Sequence, residues 1–194
     1  MLNACSTSSV KPVTTFEEAG YENVSFSNAL VIGVAGNYET RAQFERAMAA
    51  ELNVSGVAGT AYYAVIGRNR AITRSDVSDA VRARGFDSVI LTRIVSQQSV
   101  VTEESGASTA KATRRDADTP IDLFRYDYEV LNNPTQINIA STVVLSTEVF
   151  SAADEKRIFA METTISAKQD VRLLVDEAAQ KIVAHLRRDG IIGR

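Results

Sequence analysis

Asp87-Ser88-Val89-Ile90-Leu91-Thr92-Arg93-Ile94-Val95 is an apolar, β-branched run that follows Gly85-Phe86 and passes into a long polar stretch. A run of this length behind a glycine reads as a buried strand. The segments before it read as strand, helix, strand and helix, and those after it as antiparallel strands and a closing helix. The predicted class is therefore α/β (α+β): a β-α-β-α-β half, then antiparallel strands and a C-terminal helix, in a mixed sheet.

Ahead of that strand, Ala29-Leu30-Val31-Ile32-Gly33-Val34-Ala35 has the length and texture of another buried strand, closed by Gly36-Asn37. Asn37 is placed to cap a helix. In that helix Phe44, Ala47, Met48 and Leu52 share one face, which predicts that it lies on the sheet with Arg41, Glu45 and Arg46 outside. Gly56 ends it, and Thr60-Ala61-Tyr62-Tyr63-Ala64-Val65-Ile66 reads as the next strand. Thr73 with Asp76 resembles a capping box, Val77, Ala80 and Val81 form an inward stripe, and Gly85 is a natural stop. Right-handed crossovers would make the three strands parallel neighbours or near-neighbours.

The second half changes character. Residues 96–119 hold hardly an apolar residue after Val101 and read as a mobile excursion, either a hairpin tip or a loop ordered by a partner. Leu123, Tyr126 and Tyr128 alternate loosely with polar residues, and Asn132-Asn133-Pro134 is a turn. Ile137 to Phe150 and Lys156 to Ile165 are β-rich, and the turn Ala152-Ala153-Asp154-Glu155 makes them an antiparallel hairpin. Ser166 with Gln169 fits a capping box for a last helix whose apolar face runs through Val171, Leu174, Val175, Ala178, Ile182 and Leu186 to a stop at Gly190.

With 194 residues, 45% hydrophobic and 23% charged, the chain can bury one substantial core. The expected organisation is one domain over 29–194, preceded by a tether over 1–28 that is rich in Ser, Thr and Glu and contains Pro12 and Gly20. Val24 and Phe26 alternate with polar residues and suggest a short edge strand at its end. The net charge of −3, with 21 scattered Lys and Arg, gives no basic footprint for nucleic acid. No window approaches the ~18 consecutive apolar residues of a spanning helix.

No residue pattern carries an enzyme. Gly33-Val34-Ala35-Gly36 stands where a phosphate loop would, yet neither the third Rossmann glycine nor a Lys-Ser/Thr follows, and a tight turn explains it. His185 is the only histidine and lies beside the last apolar stripe, as a packed or partly exposed structural residue would. No Gly-x-Ser-x-Gly elbow occurs. The pairs Asp176-Glu177 and Glu103-Glu104 are adjacent in sequence, so a solvated surface accounts for both. Residues 116–129 do not follow an EF-hand pattern, and no cofactor or metal is expected. Tyr62, Tyr63, Phe124, Tyr126 and Tyr128 could stack on sugars or bases, but strand aromatics more often pair in a core.

The only cysteine is Cys5, which excludes an internal disulfide. Leu2-Asn3-Ala4-Cys5 resembles a bacterial lipobox, with an apolar residue three places before the cysteine and a small one just before it. The resemblance implies that the Cys5 thiol takes a diacylglyceryl group, and Ser6-Thr7-Ser8-Ser9 would begin the tether. Four residues before Cys5 leave no room for a charged and an apolar signal region, so the natural start is expected upstream of Met1, or the sequence is trimmed. By the same resemblance, Ser6 after the cysteine, where Asp would favour the inner membrane, points to the outer membrane.

Residues 29–193 resemble a broad set of bacterial envelope lipoproteins. The likeness lies in Phe44-Glu45, in Gly85-Phe86-Asp87 before Val89-Ile90-Leu91-Thr92-Arg93, in the turn near Asp154-Glu155-Lys156, and in Leu186-Arg187-Arg188-Asp189-Gly190. An aromatic such as Trp often stands in these relatives where Phe159 does. Their fold is similar to the small α/β domain of the TolB N-terminal domain and of curli- and exopolysaccharide-secretion lipoproteins. The resemblance implies a non-catalytic periplasmic module, held to the outer membrane by its lipid and binding another envelope protein. A subunit of a ring-forming export apparatus, hence a homo-oligomer, is the alternative. An enzyme acting on cell-wall or glycan material is the weaker one.

Overall fold

A computed structural model describes residues 9–67, 72–101, 108–111, 139–167 and 174–193. In chain order the elements are β1 (Ser9–Glu17), β2 (Asn28–Val34), α1 (Tyr38–Val54), β3 (Ala58–Ala61), α2 (Tyr62–Ile66), α3 (Arg74–Arg84), β4 (Ser88–Val101), β5 (Ser108–Lys111), β6 (Ile139–Ser151), β7 (Arg157–Ala167) and α4 (Val175–Arg188). They build one mixed sheet in the order β1-β7-β6-β4-β2-β3, with β5 paired to β4. β2 lies between β3 and β4 and is parallel to both, as right-handed crossovers require. The pairs β4–β6, β6–β7 and β7–β1 are antiparallel, so the predicted fold class and the predicted hairpin are both observed.

Alternation along β2 sends side chains to opposite faces. Ala29 and Val31 join Ile90 and Phe159 in a core under α1 and α4, where Met48, Leu52, Ile182 and Leu186 are buried. Leu30 and Ile32 join Val89, Leu91 and Phe150 in a second core with Tyr62, Ala80 and Phe86. The β-α-β-α-β half is thus covered on both faces, which explains why its strands read as unbroken apolar runs. Gly59 lets α1 approach β3 closely, since a Cβ there would meet the Ala49 carbonyl oxygen and Leu52 Cβ at 2.8 Å. The Asn37 and Thr73 caps form as expected, accepting from the amides of Thr40 and Asp76, and Gly85 takes the left-handed conformation at φ 63°.

Four expectations are corrected. The tether does not run to residue 28: Ser9–Glu17 is an edge strand on β7, in register from Ser9↔Ser166 to Glu17↔Phe159. Val10, Pro12, Thr14 and Phe16 turn inward and Lys11, Val13, Thr15 and Glu17 outward. That period of two is dilute in apolar residues, so the strand depends on its distant partner, and Pro12 is tolerated because it lies at a sheet edge. Phe26 makes an isolated bridge to Ile192.

Tyr62–Ile66 is a helix, although its residues favour strand. The β2–β3 ladder stops at Val31↔Ala61, and the amide of Tyr63, two residues on, donates to Glu45. Ser96–Val101 continues β4, held on one edge by β6 and, over Ser96–Ser99, on the other by β5, so the polar part is strand because both neighbours pair with it. The rest of 96–119, and the features expected over 121–134, lie outside the described residues. Finally, Ser166 belongs to β7 rather than to a helix cap, and α4 begins after Leu174 without a side-chain cap. Gln169 and Val171 lie outside the described residues.

Candidate functional site

In open α/β sheets ligands gather outside the carboxyl ends of the parallel strands. Here that region is the end of β2 and β4, beneath the first turns of α1 and α4. A cavity of about 90 Å³ opens there among Gly33, Phe44, Ile94, Val143, Ile165 and Val175. Beside it, Glu45 is fully buried and Arg41 is 9% exposed, against the expectation that both face solvent. Glu45 Oε1 accepts from the Gly33 amide at 3.0 Å, Oε2 accepts from the Tyr63 amide at 2.8 Å, and Arg41 Nε lies 3.8 Å from Oε1. The Arg41 guanidinium also rests over the Tyr38 ring, which meets Tyr63 edge-on.

Burial pushes the Glu45 carboxyl above its ordinary value, against the pull of the two amides and of Arg41. Both carboxylate oxygens are engaged by main chain, so Glu45 joins the end of β2 to the start of α2 and is not placed as a free base. The Gly33 amide, which a phosphate would need, donates to that carboxylate. A signal for this pair was present: Arg41, Glu45, Met48 and Leu52 continue a single helical stripe. Reading it as polar truncated the stripe at Phe44.

Two further charged clusters are internal. Glu148 on β6 accepts from Arg93 on β4 and from Arg157 on β7, each at 3.2 Å, and Arg157 lies over the Phe16 ring at 4.6 Å. This row ties four strands together, with Glu148 and Arg93 almost wholly buried. The other cluster is built on His185, which is 4% exposed. Its Nδ1 lies 2.8 Å from an Arg188 amino group, its Nε2 2.7 Å from Thr14 Oγ1, and that hydroxyl donates to Asp189 at 2.7 Å. The network assigns a neutral imidazole that accepts from Arg188 and donates to Thr14. It fastens β1 to the last turn of α4, so of the two structural alternatives, packed or partly exposed, His185 is the packed one.

Cys5, the predicted lipidation site, lies outside the described residues, as do Glu103-Glu104, Phe124, Tyr126 and Tyr128. Tyr62 is buried, and Asp176-Glu177 stand in the first turn of α4. Among the described residues no group of three or more His, Cys, Asp or Glu could hold a metal ion. No described helix is long and apolar enough to cross a membrane.

Neither a protein-family model nor a curated protein matches the sequence. Solved structures do. The PelC dodecamer from Paraburkholderia phytofirmans is similar at 10% identity and a TM-score of 0.48, over 95% of this chain and 99% of that one. A PelC variant from the same organism gives 10% identity and 0.49, over 97% and 100%. A lipoprotein from Neisseria meningitidis gives 12% identity and 0.43, over 84% and 99%. At these values the likeness is one of chain course and assigns no activity or partner.

Proposed function

We propose that this protein is a lipid-anchored, non-catalytic module of the bacterial envelope, held to the periplasmic face of the outer membrane and binding another envelope protein. The observation that carries the reading is Leu2-Asn3-Ala4-Cys5 followed by Ser6, a lipobox-like sequence built on the only cysteine. Engagement of Glu45, Glu148 and His185 within the chain supports a binding role over catalysis, because each is held by the chain's own groups. Metabolic labelling of the natural gene product with a palmitate analogue, followed by density fractionation of the envelope, tests it. Label that requires Cys5, in the outer-membrane fraction, supports the reading; unlabelled or inner-membrane protein contradicts it.

A subunit of a ring-forming export apparatus is the second reading. Among the described residues no strand pairs with the outer edge of β1 or of β3, the two ends of the sheet, and two unlike free edges are what a head-to-tail contact needs. Both are poor templates for simple strand addition, one carrying Lys11, Pro12 and a bulge between Thr14 and Phe16, the other only four residues long. Mass photometry of detergent-extracted protein decides: a single high-order species favours the ring, and a monomer the adaptor.

A further inference from the structure

We propose that Arg188, His185, Thr14 and Asp189 form an acid-released latch: protonation of His185 frees the edge strand β1 from α4 while the rest of the sheet stays folded. The latch is independent of the lipid anchor. β1 is weakly held. Among the described residues its one strand neighbour is β7. Val10 is its one side chain in the buried core, Val13 is 61% exposed, Pro12 brings no amide, and a register shift interrupts the ladder between Thr14 and Phe16. Beyond the ladder, β1 is tied down by Phe16, which lies under the Arg157 guanidinium, and by Thr14.

Thr14 sits in a closed ring of hydrogen bonds. Arg188 Nη2 donates to His185 Nδ1 at 2.8 Å, His185 Nε2 to Thr14 Oγ1 at 2.7 Å, and Thr14 to Asp189 Oδ2 at 2.7 Å, while Arg188 Nε closes the ring on Asp189 Oδ1 at 2.9 Å. Each donor meets an acceptor only while Nδ1 carries no proton. A proton there makes a second donor facing Arg188 and sets two positive charges side by side. The Nε2–H then has a stronger acceptor than Thr14, since Asp189 Oδ2 stands 3.4 Å away on the same helix. Imidazolium and carboxylate pair within α4, the Thr14 hydroxyl is left out of the pair, and β1 loses its tie to the helix. The charges acting on the imidazole are Asp189 and Arg188; β1 faces it with Thr14, β7 with Phe159, and α1 brings it no charge. Burial holds the imidazole below its ordinary 6.5, with Asp189 opposing and Arg188 adding, so the latch is complete above pH 6.5 and is lost as pH falls through the folded value. Release bares the outer edge of β7.

Hydrogen–deuterium exchange of the whole chain, read by mass spectrometry at about pH 7.5 and about pH 5.5 and corrected for the intrinsic rate at each pH, tests the latch. An ordinary imidazole is about nine-tenths protonated at the lower pH, so protection within Ser9–Glu17 should fall by up to about tenfold there. Peptides within Val143–Phe150 of β6 should keep theirs. His185→Gln, which can accept from Arg188 and donate to Thr14 but does not titrate, should hold β1 equally at both pH values. Thr14→Val should leave β1 weakly protected at both, and Thr14→Ser should restore the response of the parent. Protection of β1 that is unchanged by pH in the parent, that falls together with that of β6, or that falls as far in His185→Gln overturns the latch. If His185→Gln does not fold, the Thr14 pair decides alone: a pH response that survives in Thr14→Val overturns the latch, and one that is lost there and regained in Thr14→Ser supports it.

Discussion

Glu45 Oε2 stands 2.8 Å from the amide nitrogen of Tyr63, eighteen residues away, and accepts its hydrogen bond from a fully buried position. Through this contact, and the companion bond to Gly33, one side chain of α1 fixes where β3 ends and α2 begins. Glu45→Ala would leave the buried Gly33 amide and the part-buried Tyr63 amide without their acceptor and should cost about 3 kcal/mol in urea unfolding. Glu45→Gln, which keeps one acceptor oxygen, should cost about 1 kcal/mol.

The same residue gives a pH signature. Burial raises the Glu45 carboxyl above its ordinary 4.5, outweighing the hydrogen bonds from Tyr63 and Gly33 and the charge of Arg41. A carboxyl raised on folding holds its proton more tightly in the folded state, so its contribution is complete below pH 4.5 and is lost as pH rises through the folded value. Unfolding free energy measured across this range should therefore fall less steeply with rising pH in Glu45→Gln than in the parent.

Gly59→Ala tests the approach of α1 to β3. The new methyl would lie 2.8 Å from the Ala49 carbonyl oxygen and from Leu52 Cβ, and a main-chain oxygen cannot swing aside as a long side chain can. A loss of about 1–3 kcal/mol is expected in chemical denaturation. Gly36→Ala, where a Cβ would meet nothing within 4 Å, serves as the control and should be close to neutral.

Glu148→Leu would leave Arg93 and Arg157 without the carboxylate that binds both. Removing one partner from a buried ion pair costs about 3–5 kcal/mol, because the remaining charge stays desolvated. Arg157→Met should cost less, since Arg157 is 24% exposed and Glu148 keeps Arg93. The order of the two unfolding midpoints checks the account.

His185 governs the acid side. Burial holds its pKa below the ordinary 6.5; Asp189 opposes that shift and Arg188 adds to it. The folded state therefore favours the neutral ring, and the resulting stability is present above pH 6.5 and lost as pH falls through the folded value. Asp189 acts further down. Burial pushes its carboxyl up, but the hydrogen bonds from Thr14 and Arg188 and the neighbouring charges bring it below 3.8, so its contribution is lost at still lower pH. Melting temperatures from about pH 7.5 to about pH 5.5 should fall in the parent and fall less in His185→Gln.

Much of this architecture was legible in the residues. β2 and β4 are unbroken apolar runs because both sheet faces are covered, and Asn37, Thr73 and Gly85 are local signals that act within their own turns. What was illegible depends on distant partners. β1 is a strand through its pairing with β7, Ser96–Val101 through β5 and β6, and Tyr62–Ile66 a helix because Glu45 takes the Tyr63 amide. Glu45 itself was misplaced because a charged residue on a helical stripe is ordinarily at its solvated margin. His185 was placed correctly for the simple reason that it adjoins the Ile182 and Leu186 face.

The measurement that bears most directly on the central claim is mass spectrometry of the N-terminal peptide of protein purified from the envelope of the producing bacterium. The account predicts a mature chain that begins at Cys5 and carries the mass of a diacylglyceryl group, absent from the Cys5→Ser variant. A free Cys5 thiol on a chain recovered from the soluble fraction would contradict it.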